Sequence, residues 1–137
     1  MIGIGFAERL AGGHHPIGST EPDKTFALDL VAEPARHGWR ALGTLRAESI
    51  VSGAAVQGVI SREGDILRYR LSIDGEPRLG IEGQKLLRVR DPYASLSMFR
   101  GLLRDAGRDV AAISARVDLR SEWRFFLRHL TLSLRAS

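Results

Sequence analysis

Alternation of apolar and polar residues over short segments is the feature that most constrains how this chain folds. The clearest case is "ILRYRLSID", residues 66–74, which Gly and Asp residues flank in "REGD" and "DGEP". A period of two is typical of a β-strand with one buried and one solvated face, and Gly and Asp favour turns. The apolar side of this predicted strand consists of Leu67, Tyr69, Leu71 and Ile73.

The same alternation recurs through most of the sequence. About seven or eight short strands, spaced by about ten residues, predict an all-β, mainly antiparallel fold: a lipocalin-like barrel or a two-sheet sandwich. Residues 93–105 fit either a strand or a helix, and the strand is preferred. The strand face would carry Leu96, Met98, Arg100 and Leu102, and the helix face Leu96, Phe99, Leu102 and Leu103. We predict the other strands in residues 2–10, 25–33, 40–50, 54–62, 66–74, 79–90 and 109–119.

The connections between these strands are predicted from turn-forming residues. Residues 12–24, with three Gly, two Pro and one Asp, and residues 33–39, with one Pro and one Gly, are expected to be connectors. Ser52-Gly53 is predicted as the turn between the strands at 40–50 and 54–62. Near the C-terminus a helical spacing replaces the alternation and predicts one short helix, which plugs or flanks one end of the barrel; its apolar stripe is Leu119, Trp123, Phe126, Leu127 and Leu130.

Length and composition predict a single domain over residues 1–137 of an ordinary globular type. The chain has no cysteine, which agrees with a cytoplasmic location, and we expect neither a signal peptide nor a transmembrane segment. The net charge is +4 and the pI is about 10.3. Because acidic residues are interleaved with the arginines, we expect no specific nucleic-acid partner.

Two charged residues fall in the apolar phase of their predicted strands. Glu8 is in step with Phe6 and Leu10, and Lys85 is in step with Ile81. Isolated buried charges are very costly, so each needs a partner. We therefore predict a Glu8–Lys85 pair inside the barrel or at its mouth, to which the inward hydroxyl of Tyr69 adds a donor. The alternatives are an ion pair that only fixes strand register, or two side chains that reach solvent at strand ends.

Other motifs point to no cofactor. "GIGF" lacks the third glycine of a dinucleotide fingerprint, and the four histidines lack metal-site spacing: His14, His15, His37 and His129. Three glycines lie in or near inward phases, where they either leave a cavity or ease strand curvature: Gly43, Gly58 and Gly83.

A sequence pattern at these positions resembles a known family. The pattern F-x-E-x-(L/M)-x-G, here Phe6, Glu8, Leu10 and Gly12, precedes "FALDLVA", Gly43-Thr44-Leu45, "LRYRLSID" and "IEGQK". Order and spacing are similar to those of the small domain associated with bacterial cholesterol-oxidase-like (GMC-type) flavin oxidoreductases. The last third departs from that family, because the expected threonine-rich segment is replaced by "YASLSMF". The resemblance implies a flavin oxidoreductase of sterol or lipid oxidation as partner.

Three functions are compatible with these residues. The first is an accessory domain that binds an apolar small molecule or lipid in a barrel cavity. The second is a small isomerase- or cyclase-type enzyme using Glu8, Lys85 and Tyr69. The third is an interaction domain with a filled core, for which a homodimer is one arrangement. A cavity of about 300 Å³ or more favours the first two. The ligand-binding residues predicted for the first are Glu8, Lys85, Tyr69, Phe6 and Gly83.

Overall fold

The computed structural model describes residues 5–86 and 98–117, which form a closed antiparallel barrel of eight strands. Each strand pairs with the next along the chain, and the last pairs with the first. The predicted all-β fold is confirmed, and the barrel is chosen over the sandwich. The strands are β1 (Phe6–Pro16), β2 (Lys24–Ala35), β3 (Gly38–Ala47), β4 (Val51–Glu63), β5 (Ile66–Ile73), β6 (Glu76–Leu86), β7 (Met98–Asp105) and β8 (Arg108–Val117).

The interior of the barrel is lined by the apolar phase of the alternation. In β5 the predicted inward residues are all buried, and β8 buries Ala111, Ile113 and Ala115 as expected. Closure leaves no unpaired sheet edge among the described strands, and eight strands enclose room for packed side chains or one small ligand. One continuous apolar cluster occupies this interior and includes Leu10, Leu28, Leu45, Ile60, Ile81 and Phe99.

The turn between β3 and β4 differs from the prediction. It lies at residues 48–50, where Ser49 adopts a positive φ of 69°. Ser52 and Gly53 belong to β4, and Gly53 is the extra residue of a bulge between Leu45 and Arg46 of β3. The prediction was wrong because a glycine with positive φ serves a bulge as well as a turn.

The orientation of β7 and two connector bounds also need correction. Residues 98–105 are a strand as preferred, but Phe99 and Leu103 face inward, whereas Met98 and Leu102 lie in the opposite phase. β1 continues to Pro16 and β2 to Ala35, so the connectors are shorter than 12–24 and 33–39. At Gly12 an added Cβ would lie 2.1 Å from the Ser114 carbonyl oxygen, so glycine there permits close pairing with β8 rather than a loop.

The two ends of the barrel are distinguished by their turns. The Glu8 end carries the start of β1 and the β2–β3 and β4–β5 turns, and the His14 end carries the β3–β4, β5–β6 and β7–β8 turns. The predicted helix at 119–130 and residues 93–97 lie outside the described residues. In the described part of the chain, no helix has the length and apolar character needed to cross a membrane.

Candidate functional site

Glu8 points into the barrel near one end. It lies on β1 opposite Leu30 of β2, in the same phase as Leu10, and is 5% exposed. Because side chains two residues apart on a strand point to the same face, Glu8 faces inward like Leu10. A carboxylate in this position needs donors for both oxygens, because it is almost fully buried.

Both oxygens of the Glu8 carboxylate have separate donors. The Tyr69 hydroxyl of β5 donates to Oε1 at 2.7 Å, and the Lys85 ammonium of β6 donates to Oε2. Tyr69 is 1% and Lys85 3% exposed. The predicted pairing of Glu8 with Lys85 is confirmed, and the alternative in which the two side chains reach solvent is wrong. We call these three residues the buried triad.

Aromatic rings surround the cationic side of the triad. Lys85 Nζ lies 5.5 Å from the centre of the Tyr69 ring, within range of a cation–π interaction. The Tyr69 ring in turn meets Phe99 of β7 edge to face, with centroids 5.2 Å apart and planes at 79°. Such contacts add to the stabilisation from buried area and fix the orientation of both rings. Phe99, which the sequence-based prediction missed, therefore holds the tyrosine in place.

Gly83 makes room for Phe99. It lies opposite Tyr69 on β6, and a Cβ added there would lie 2.1 Å from Phe99 Cζ. The same test at Gly58 puts a Cβ 1.9 Å from the Arg70 carbonyl oxygen. At these positions the missing side chain permits close packing, so the reading of the glycines as cavity-forming is not supported.

Phe6 lies at the rim of the Glu8 end rather than deep in the barrel. Its ring contacts Trp39 of β3 edge to face, with centroids 5.6 Å apart. Both residues are partly buried and pack against the apolar cluster. The pair therefore forms part of the apolar rim beside the triad, and Trp39 is a second aromatic contact that the sequence analysis did not assign.

Burial determines the protonation of Tyr69. Desolvation raises the pKa of its phenol well above the usual value, and the negative charge of Glu8 and the hydrogen bond to it raise that pKa further. Tyr69 is therefore a neutral donor over the physiological pH range. A tyrosinate base at this position is disfavoured by the same contacts that hold the triad together, whereas a neutral phenol can still donate a proton or a hydrogen bond.

His14 is a second buried polar residue, at the opposite end. It is 2% exposed, and its Nε2 lies 2.9 Å from the carbonyl oxygen of Glu48, to which it donates. Nδ1 is buried and has no hydrogen-bond partner within residues 5–86 and 98–117. Extending the β1 alternation from Glu8 and Leu10 through Gly12 predicts an inward residue 14, so the signal was present in the sequence.

The triad has the chemistry of a polar anchor rather than a metal site. It supplies one carboxylate, one ammonium and one phenol, and His14 and His15 lie in opposite phases of β1. Among the described residues, no group of three or more His, Asp or Glu side chains is arranged to hold a metal ion.

Comparison of the chain with protein-family models, with curated proteins and with solved structures gives no match. The resemblance to the cholesterol-oxidase-associated small domain therefore stays a prediction based on the quoted motifs. The geometry itself defines the class of protein: a closed antiparallel barrel with a buried Glu–Lys–Tyr triad.

Proposed function

We propose that this barrel binds an apolar small molecule or lipid whose polar head reaches the buried triad. The observation that carries the proposal is that Lys85 has more N–H donors than acceptors among the described residues. An ammonium has three N–H donors, and within the described residues Glu8 is its one hydrogen-bond acceptor. A buried donor without an acceptor is costly, so an oxygen atom of a ligand would stabilise the site.

The charge of the triad favours a neutral head group. Glu8 and Lys85 balance one another, and Tyr69 remains uncharged. An added carboxylate would leave one negative charge uncompensated in an apolar surrounding. A hydroxyl or ketone oxygen accepts from Lys85 without that cost, and a long apolar body suits the leucine-rich interior.

Binding at the triad requires Phe99 to move, because its ring fills the space beside Tyr69 and Gly83. Phe99→Ala would open room there without removing any polar group. We expect this variant to be stabilised by cholesterol or a long-chain alcohol more strongly than the wild type. A variant with both Glu8→Gln and Lys85→Met in the Phe99→Ala background is the matched control, with the same space and no charges.

The experiment is a thermal-unfolding titration of these proteins with cholesterol, dodecanol and dodecanoate. A rise in melting temperature with the two neutral ligands, lost in the control, supports the proposal. Equal shifts in both proteins would show apolar partitioning alone, and no shift in any protein would contradict ligand binding at the triad.

A second function, an interaction domain with a filled core, is favoured by one observation. Buried apolar side chains from all eight strands occupy the interior, including Leu45, Ile60 and Phe99, and Glu8 and Lys85 are buried among them. In this case the triad fixes strand register. Sedimentation of a dimer, together with no response to any apolar ligand, would favour this function over the first.

The partner and pathway come from the sequence resemblance. We propose that the domain acts beside a flavin oxidoreductase in bacterial sterol or lipid oxidation, in the cytoplasm. Co-purification of a flavin-containing oxidase with the tagged chain, dependent on cholesterol, tests this. In the isomerase or cyclase alternative, the raised pKa of Tyr69 leaves it to act as a general acid or hydrogen-bond donor beside Glu8 and Lys85.

A further inference from the structure

The outer face of β5, β6 and β7 carries a basic groove that the proposed function does not use. Arg68 lies opposite Gln84, and Gln84 lies opposite Arg100, so the three side chains form one cross-strand row. Arg70 adds a third guanidinium from the adjacent row. All four residues are exposed and line a groove of about 340 Å³.

Among the described residues, one of the three arginines in the groove forms an ion pair and the other two do not. Arg68 donates to Glu63 at 2.6 Å. Glu82 lines the groove directly opposite Arg70 and lies 3.1 Å from Arg104, which also binds Asp109 at 2.8 Å. Within residues 5–86 and 98–117, neither Arg70 nor Arg100 has an ion pair. Arg70 and Arg100 can therefore donate to a ligand, with the neutral amide of Gln84 and the carboxylate of Glu82 lining the same groove.

Strand geometry brings these groups within reach of one ligand. Paired strands lie about 4.8 Å apart and a strand rises about 3.3 Å per residue. Arg70 lies two residues along β5 from the row of Arg68, Gln84 and Arg100, so its backbone is about 12 Å from that of Arg100. Arginine side chains are long enough to converge over that distance. Their planar donor forks match the oxygens of phosphate or carboxylate, and the amide of Gln84 adds a neutral donor between them.

We propose that this groove binds a small phosphate-bearing molecule through Arg70, Arg100 and Gln84. Three guanidiniums line the groove against one lining carboxylate, Glu82, so the groove attracts a small anion. Glu82 in the groove and Glu63 beside Arg68 would repel an extended polyanion, so neither nucleic acid nor an anionic membrane fits as well. The volume is at the lower end of the range for small-molecule sites.

Titration with inorganic phosphate at low ionic strength, followed by NMR of the arginine Nε–H groups, tests the proposal. We expect saturable binding that weakens with added salt. Arg70→Gln and Arg100→Gln should each weaken it about tenfold or more, as loss of a charge-assisted hydrogen bond implies. Arg40→Gln, at an exposed position on β3, is the control and should leave phosphate binding unchanged.

Each other outcome would overturn the proposal. Absence of saturable binding, or equal weakening in all three variants, would mean that the groove has no specific site. Vesicles of phosphatidylglycerol and a single-stranded oligonucleotide are tested in parallel. Retention of either one without binding of free phosphate would assign the groove to a polyanion instead. Thermal unfolding of each variant confirms that the barrel is intact.

Discussion

The two ends of the barrel bury polar side chains in opposite ways. At the Glu8 end, a carboxylate has a donor for each oxygen, one of them a buried ammonium. At the His14 end, an imidazole makes one hydrogen bond to a carbonyl and leaves Nδ1 unpaired among the described residues. A charge must be compensated completely, whereas an imidazole can be buried in its neutral form with one bond unmade.

The largest expected effect comes from removing one charge at the Glu8 end. Glu8→Gln or Lys85→Met should each destabilise the barrel by about 3–5 kcal/mol, because the remaining charge is left unpaired in the interior. The double variant should recover much of that loss. Urea unfolding of the four proteins gives the coupling free energy.

An exposed pair provides the control for this cycle. Arg78 and Asp105 are 3.3 Å apart, with side chains 75% and 45% exposed. Their cycle should give a coupling below about 1 kcal/mol. A coupling at Glu8–Lys85 no larger than this would mean that burial does not distinguish the two pairs.

The site could be predicted because few charges fall in inward phases. Glu8 and Lys85 have opposite signs and interrupt apolar alternation, so pairing them follows from the cost of burying either alone. Phe99 could not be predicted as their neighbour. Its position depends on the ring fitting against Gly83, a three-dimensional packing that leaves no pattern in sequence.

The errors in the fold have similar causes. Both faces of residues 98–105 are apolar, with Met98 and Leu102 on one and Phe99 and Leu103 on the other. Periodicity identifies a strand there but cannot choose its inward face. The turn at 48–50 has no glycine, and Ser49 takes the positive φ instead, so turn composition pointed to the bulge at Gly53.

Tyr69→Phe is the next change in order of size and removes one donor from the carboxylate. We expect a loss of about 1.5–3 kcal/mol near neutral pH, as for hydrogen bonds to charged groups. The folded state keeps the Tyr69 proton because its pKa is raised, while the unfolded state releases it above about pH 10. The unfolded state then binds fewer protons, so stability from this residue falls as pH rises.

This pH dependence separates Tyr69 from a merely structural aromatic residue. The stability advantage of wild type over Tyr69→Phe should shrink by about 1.4 kcal/mol per pH unit above about pH 10. Tyr93 is present in both proteins and cancels. Urea midpoints measured at several alkaline pH values check the slope, and a constant difference would contradict a buried neutral phenol.

Gly83→Ala tests the packing around the triad. The new methyl group would overlap Phe99, so we expect a loss of about 1–3 kcal/mol. Phe99→Leu should cost less in the Gly83→Ala background than in wild type, since it relieves the overlap. Gly80→Ala on the same strand is the control: its nearest atom would be 3.3 Å away, and it should cost less. Equal losses of stability at both glycines would mean that Gly83 is no more tightly packed than Gly80.

The smallest effect is expected at the His14 end. His14→Phe removes the hydrogen bond to the Glu48 carbonyl, but it also removes a buried nitrogen that has no partner in the described structure. Losing a neutral bond and losing an unsatisfied acceptor have opposite signs, so the net change should stay within about 1 kcal/mol. Glu48 is also held by Thr25, whose backbone N–H donates to its carboxylate at 3.0 Å, so the turn should persist. Urea unfolding at neutral pH measures the change. A loss as large as that of Glu8→Gln would show that this end, too, depends on a fully paired polar group, and the contrast between the two ends would fail.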